Sequence, residues 1–308
     1  MPHSNSSTLS RRRFLVGSLG VGAAGLHSWA AGQTRPATAP HGQSQRWQIG
    51  CYTRPWAQDD YRVALDAIAE AGFKYAGLMT TKSGLVISTA TSVEEAQQVG
   101  AEAKKRGLKL ASAYGGDIEA AQGLKPAVEA LKRLIDNCAA AGVASLLMGG
   151  VTRERVYDTY YQAIAQCCDH AVDRRVEIVL KPHGGLNTTA FQCRKAVEKV
   201  GHRAFRIWYD AGNILYYSHG QLDPVEQAGV LDGLVTGWCI KDYRHPRNVD
   251  VTPGTGQVKF AEVFARLRKG GFKGGPLLVE TLARGEPAEK LAEARRARQF
   301  LEELTQST

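Results

Sequence analysis

From Trp47 to the end of the chain, two hydrophobic patterns alternate. Short apolar runs of strand length are each followed by a longer stretch in which apolar residues return every three or four positions. The runs predict strands over Trp47–Tyr52, Lys74–Met79, Leu108–Ala113, Val143–Met148, Val176–Leu180, Phe205–Tyr209, Leu234–Ile240 and Pro276–Thr281. The longer stretches predict helices over Tyr61–Ala71, Ser92–Arg106, Pro126–Ala141, Arg155–Asp173, Thr188–Val200, Asp223–Leu231, Phe260–Lys269 and Pro287–Leu304. Glycines punctuate the pattern: Gly72, Gly107, Gly142 and Gly270 stop helices, and Gly115-Gly116 and Gly149-Gly150 follow strands.

Eight strand–helix units in about 260 residues have the count and size of a (β/α)8 TIM barrel. Alternation alone also fits a doubly wound open sheet, but Cys51-Tyr52-Thr53-Arg54-Pro55-Trp56 after the first strand is not a glycine fingerprint. In a barrel every strand C-terminus opens on one face, so residues far apart in sequence converge there. The predicted ends supply Arg54 and Trp56, Tyr114, Lys181 and His183, Asp210 and Asn213, Lys241, Asp242 and His245, and finally Glu280. Two carboxylates, two histidines and two lysines at one mouth exceed what packing requires, because a charge at the end of a buried strand needs a partner or a ligand. Structural readings stand beside the chemical ones. Asp210 can cap the turn after it, Asp242 can pair with Lys241 or Arg244 on the rim, and Trp208, Tyr216 and Tyr217 read as packing or rim aromatics. Glu280, which prolongs the apolar run Leu277-Leu278-Val279, is hardest to explain as structure.

The 308 residues are ordinary in composition, 44% hydrophobic and 22% charged, with a formal charge of +9. Three of those charges, Arg11, Arg12 and Arg13, lie in a leader, which leaves +6 without it. The other basic residues scatter over helical faces without interleaved aromatics, which argues against nucleic acid as a partner. The six cysteines match no zinc knuckle or disulfide scaffold and read mostly as buried small hydrophobes; the neighbours Cys167 and Cys168 are not expected both to face a core. Ser10-Arg11-Arg12-Arg13-Phe14-Leu15, a Gly/Ala/Leu-rich stretch and the small-x-small site Ser28-Trp29-Ala30 resemble a twin-arginine export signal. Residues 1–30 are therefore expected to be a signal peptide, 31–45 a flexible linker and 46–308 the barrel, in a periplasmic or secreted protein without stable membrane insertion.

The strand-end Asp210-Ala211-Gly212-Asn213, Ile240-Lys241-Asp242, the turn Gly254-x-Gly256-x-Val258-x-Phe260 and Leu278-Val279-Glu280 together resemble the xylose-isomerase-like barrel superfamily of sugar isomerases and epimerases. The resemblance covers Trp47 to Leu304 and implies a small-molecule carbohydrate as partner. It also implies one divalent metal held by Glu, Asp, His and Glu, with the two Glu moving the proton next to a sugar carbonyl. Asp210 and Glu280 keep their places; the first Glu falls on Lys181 and the metal His on Cys239. Three readings stay open. A re-ligated metal (Mn, Co, Fe or Zn) would sit on Asp210, Glu280, His183 and His245. Without a metal, Lys181 would supply the cation, or act as a base if its pKa is lowered. Or the barrel has lost its chemistry and binds carbohydrate. In the first two, Glu280 is the base, His183 or His245 the acid, and Lys181 part of the catalytic set. Arg54, Trp56, Tyr114, Asn213, Lys241 and His245 would bind substrate, and the outcome is isomerisation, epimerisation or β-elimination from a keto-glycoside. The related endonuclease IV group shares the barrel but needs a His-rich three-zinc cluster, for which His183 and His245 are too few. Barrels of this kind are often dimers, so a homodimer is allowed, though no stretch marks an interface.

Overall fold

The strand register closes a ring. The computed structural model describes residues 46–116 and 118–306, so the expected signal peptide and linker lie outside the described residues. In chain order these residues form β1 (Trp47–Tyr52), β2 (Tyr75–Leu78), a short hairpin of β3 (Thr80–Thr81) and β4 (Gly84–Leu85), β5 (Lys109–Tyr114), β6 (Ser145–Met148), β7 (Glu177–Leu180), β8 (Phe205–Tyr209), β9 (Val235–Ile240) and β10 (Gly275–Val279). The helices are α1 (Tyr61–Glu70), α2 (Val93–Lys105), α3 (Leu124–Ala141), α4 (Tyr157–Asp173), α5 (Ala190–Val200), α6 (Ala211–Tyr217), α7 (Pro224–Val230), α8 (Phe260–Lys269) and α9 (Pro287–Gln306). The strands other than the hairpin pair in parallel in the order β1-β10-β9-β8-β7-β6-β5-β2, and β1 pairs with both β2 and β10. This is the closed (β/α)8 barrel that the alternation predicts.

The period-two alternation of each strand sorts its side chains into two cores. In β7, Ile178 and Leu180 pack outward under the helices, whereas Val179 points into the lumen. The lumen is filled by Tyr52, Met79, Ala111, Leu147, Val179, Trp208, Cys239 and Leu278, a packed layer and not a pore. Its two largest side chains need neighbours without a Cβ. A Cβ on Gly77 would lie 2.2 Å from the Tyr52 ring, and one on Gly237 would lie 2.4 Å from Trp208. The Tyr52 hydroxyl is satisfied by the Ser112 hydroxyl at 2.9 Å.

Outside the barrel, local chemistry fixes where helices begin and end. Ser92 with Glu95 opens α2 and Thr189 with Gln192 opens α5, each through reciprocal side-chain and backbone bonds. Gly142 (φ 73°) and Gly201 (φ 65°) close α3 and α5 in the left-handed region. The expectation that Cys167 and Cys168 cannot both face a core is overturned: both are fully buried. α4 is covered on two sides, by α3 and α5, so adjacent positions find separate apolar surroundings. The Cys167 thiol donates to the Val128 carbonyl on α3, and that of Cys168 to Ile164 one turn back.

Candidate active site

Four charged residues follow directly on the last apolar position of their strands, so the ring brings them together. Lys181 follows β7, Asp210 follows β8, Lys241 follows β9 and Glu280 follows β10. Two of the backbones are held by the neighbouring strand: the Lys181 N–H donates to the Met148 carbonyl at 3.3 Å, and that of Glu280 to Ile240 at 2.8 Å. All four side chains are buried. The Lys181 ammonium donates to Glu280 Oε2 at 2.5 Å and to Asp210 Oδ2 at 3.3 Å. The Lys241 ammonium lies 2.7 Å from Glu280 Oε1, 3.3 Å from Asp210 Oδ2 and 2.9 Å from Asn213 Oδ1. Arg54, in the turn after β1, reaches Glu280 Oε1 at 3.5 Å from the solvent side. Asp210 also fulfils its structural reading: its Oδ1 accepts the Asn213 N–H at 2.9 Å and caps α6. One oxygen thus caps the helix while the other pairs with the two lysines.

These contacts set the protonation states. Burial alone would push the Lys181 ammonium down, but Glu280 and Asp210 reverse this and raise it above the ordinary lysine value. Lys181 is therefore a fixed cation, which corrects the reading of it as a base. Burial would raise the Glu280 carboxyl, yet Lys181, Lys241 and Arg54 hold it well below the usual range. Asp210 is pushed up by burial against the pull of Lys241 and Lys181. His183 is driven down to about 3 by burial, then by Lys181 and Lys241, so its imidazole is neutral at physiological pH.

Above the charged quartet lies a cavity of about 340 Å³ lined by Arg54, Tyr114, His183, Asn213, Lys241 and Glu280, with Tyr216 and Tyr217 on the same wall. It adjoins two further hollows through shared residues: Tyr114 and His183 on one side, Arg54 and Glu280 on the other. His183 sits between two aromatic rings, with centroids 6.1 Å from Tyr114 and 5.8 Å from Tyr217. Gly149 makes room for this pair, since a Cβ there would lie 2.7 Å from the Tyr114 hydroxyl and 3.1 Å from His183 Nδ1. A larger cavity of about 510 Å³ opens near the strand N-termini, where its lining includes Gln48, Tyr75, Lys104 and Lys109 but no carboxylate or imidazole among the described residues.

Two expected site residues are elsewhere. Trp56 is buried in the outer core, because the short helical turn Arg54–Trp56 rotates it inward while Arg54 stays at the mouth. His245 is exposed on the loop after β9, where its backbone N–H is fixed to Gln257 Oε1 at 2.6 Å, and it does not line the cavity. Among the described residues Asp242 forms no rim ion pair. It is buried, and its carboxylate accepts backbone N–H groups from Tyr243, Gly254, Gly256 and Val258. The wall aromatics Tyr216 and Tyr217 reach the cavity because Asp210 starts α6 at once, and the N-cap pattern from Asp210 to Asn213 is the signal that would have placed them.

The expected re-ligated metal centre does not form. His245 is absent from the mouth, and His183 lies among aromatics and cations. The described residues do bring together one donor atom each of Asp210, Cys239 and Glu280 within 4.8 Å of one another. However, both carboxylates are already bonded to two ammonium groups, so a divalent ion does not fit this arrangement.

The sequence profile of the xylose isomerase-like TIM barrel family matches residues 65–304. The chain belongs to that family. No curated protein matches its sequence. Among solved structures, a xylose isomerase domain protein from Planctomyces limnophilus is similar with a TM-score of 0.66 at 18% identity, over 85% of this chain and 98% of that one. A D-psicose 3-epimerase with D-tagatose from Clostridium cellulolyticum H10 gives 0.65 at 15%, over 83% and 99%. A xylose isomerase-like TIM barrel protein from Mycobacterium smegmatis in complex with magnesium gives 0.67 at 15%, over 85% and 97%. At these identities the likeness shows the fold.

Proposed function

We propose that this protein is an isomerase- or epimerase-class enzyme that moves a proton on a carbon next to the carbonyl of an unphosphorylated sugar or keto-glycoside. Membership of the family supports the class, as do structural relatives described as D-psicose and L-ribulose 3-epimerases. The observation that carries the reading is that the Glu280 carboxylate, the neutral His183 imidazole and two cations, Lys241 and Arg54, line one cavity. Glu280 takes the proton from carbon, and His183 donates a hydrogen bond to the carbonyl oxygen and completes the proton's path. The cations that hold Glu280 below the carboxylate range also lower the acidity barrier of the substrate, because they stabilise the enediolate that forms beside them. When Glu280 becomes neutral, the negative charge passes to the substrate oxygen within the same ring of cations, so the net charge of the site does not change. Export in folded form by the twin-arginine pathway belongs to the same reading, since outside the cytoplasm free sugars and glycosides are the available substrates.

One observation favours a second reading, a carbohydrate-binding protein without turnover. Every carboxylate oxygen of the quartet already holds an ammonium group or an N–H. Solvent deuterium exchange at the carbon next to the carbonyl, followed by NMR over D-fructose, D-psicose, D-tagatose and 3-keto-glycosides, separates the two. Exchange that falls on the order of 10²- to 10⁴-fold in Glu280→Gln, with sugar affinity kept, supports catalysis. Sugar binding with no exchange in the wild type would replace it by the binding reading.

A further inference from the structure

Beneath the mouth, two carboxylate oxygens and one sulfur converge. Asp210, Cys239 and Glu280 each offer an atom within 4.8 Å of the others, and all three residues are buried. Two carboxylates in such a space demand positive charge. Lys181 and Lys241 supply two unit charges, the charge of one divalent ion, and the quartet with Asp210 and Glu280 is formally neutral. Each lysine bridges both carboxylates, as one ion between them would: Lys181 spans Glu280 Oε2 at 2.5 Å and Asp210 Oδ2 at 3.3 Å, and Lys241 spans the other Glu280 oxygen and the same Asp210 oxygen. Lys181 is fully buried, with both its carboxylate partners buried beside it.

We infer that Lys181, assisted by Lys241, permanently takes the place of a divalent ion, so that the wild-type protein excludes metal from an otherwise competent donor set of two carboxylates and a thiol. The inference concerns the ground state of the site and holds whether or not a sugar is turned over. It has a consequence for the thiol. Cys239 is fully buried beside the two carboxylates, so its sulfur is shielded from solvent in the wild-type protein. Removing the ammonium leaves two unpaired carboxylates, and a metal that enters will take the thiol proton's place on sulfur. Such a mixed oxygen and sulfur set suits Zn²⁺ and Co²⁺.

Cobalt reports the outcome without reference to activity, because a Co²⁺–thiolate bond absorbs in the near ultraviolet. Purified wild-type protein, incubated with excess Co²⁺ and desalted, is expected to retain none and to show no such band. Lys181→Met, which keeps the side-chain length but removes the charge, is expected to gain about one Co²⁺ per chain with the band. Adding Cys239→Ser to it removes the band. A stoichiometric Co²⁺–thiolate signal in the wild type would overturn the inference, since Lys181 would then yield to metal. So would a Lys181→Met protein with wild-type circular dichroism that takes up no metal. Lys181→Gln serves if the Met variant does not fold, and the wild-type arm decides by itself if neither does.

Discussion

The His183 ring faces Tyr114 and Tyr217, and its charge environment consists of Lys181, Lys241, Arg54 and Glu280. Burial and the three cations outweigh the one carboxylate, so its folded value of about 3 lies below the ordinary 6.5. The unfolded chain therefore binds a proton at this residue over a range in which the folded chain does not. Stability from this source is fully present above pH 6.5 and declines as the pH falls toward 3. Between pH 7 and 5, above the ordinary range of Glu280, the loss from this residue should be about 1–2 kcal/mol after allowance for its partial exposure. Urea denaturation of wild type and His183→Gln at both pH values checks this. The variant should lose that much less on acidification, and equal losses would mean that His183 is protonated in the fold. Lys181, Asp210, Lys241 and Glu280 were legible in the sequence because each directly follows an apolar strand. What the sequence withheld was their mutual bonding, since the protonation of Lys181 depends on distances that only the closed ring sets. His245 and Trp56 were misplaced for a related reason: the course of a loop and of a three-residue helical turn decides where they point.

The segment between β9 and α8 is organised by Asp242. Its carboxylate collects the N–H groups of Gly254, Gly256 and Val258, at 3.0, 2.8 and 3.0 Å, and so folds the chain back beside the strand end. Gly256 must lack a side chain there, because a Cβ would lie 2.4 Å from Asp242 Oδ1. Such charge-assisted bonds to backbone donors are among the stronger ones in a fold. Asp242→Asn keeps the shape but replaces one acceptor oxygen by a donor, leaving N–H groups unsatisfied. It should destabilise the protein by about 2–4 kcal/mol and increase amide hydrogen exchange first at 254–258. Wild-type exchange in that segment would show that the loop is held by other contacts. The turn itself was readable from Gly254-Thr255-Gly256, but its anchor was not, because Asp242 beside Lys241 and Arg244 looks like a surface ion pair. The strands were readable to within two residues because a buried parallel strand is an unbroken apolar run. α6 was not, since Asp210 to Asn213 reads as a capped turn on the strand end and no loop separates that strand from the helix. The β3–β4 hairpin was not either, being two residues on each side.

At the scale of the whole molecule, the state of the cysteines bears on the proposed export of the chain in folded form. All six are buried and unpaired. Burial pushes the thiols of Cys138 and Cys168 up to about 12 and that of Cys167 to about 11, so the folded barrel presents no thiolate to an oxidant. The unfolded chain has no such protection, and six cysteines allow 15 full pairings, whereas the fold holds all six as free thiols. A chain of this kind is best folded where thiols stay reduced and moved afterwards as a finished barrel, which is the service that the Arg11-Arg12 leader would secure. Replacing both arginines by lysine should leave the unprocessed protein in the cytoplasm, soluble and with six titratable thiols after denaturation. Exchanging the leader for one that threads unfolded chains should deliver protein that is cross-linked and depleted in free thiol. Cell fractionation with thiol counting reads both. A double-lysine variant that still appears outside the cytoplasm at mature length would remove the twin-arginine assignment. Threaded protein that arrives folded with six free thiols would remove the reason given for it.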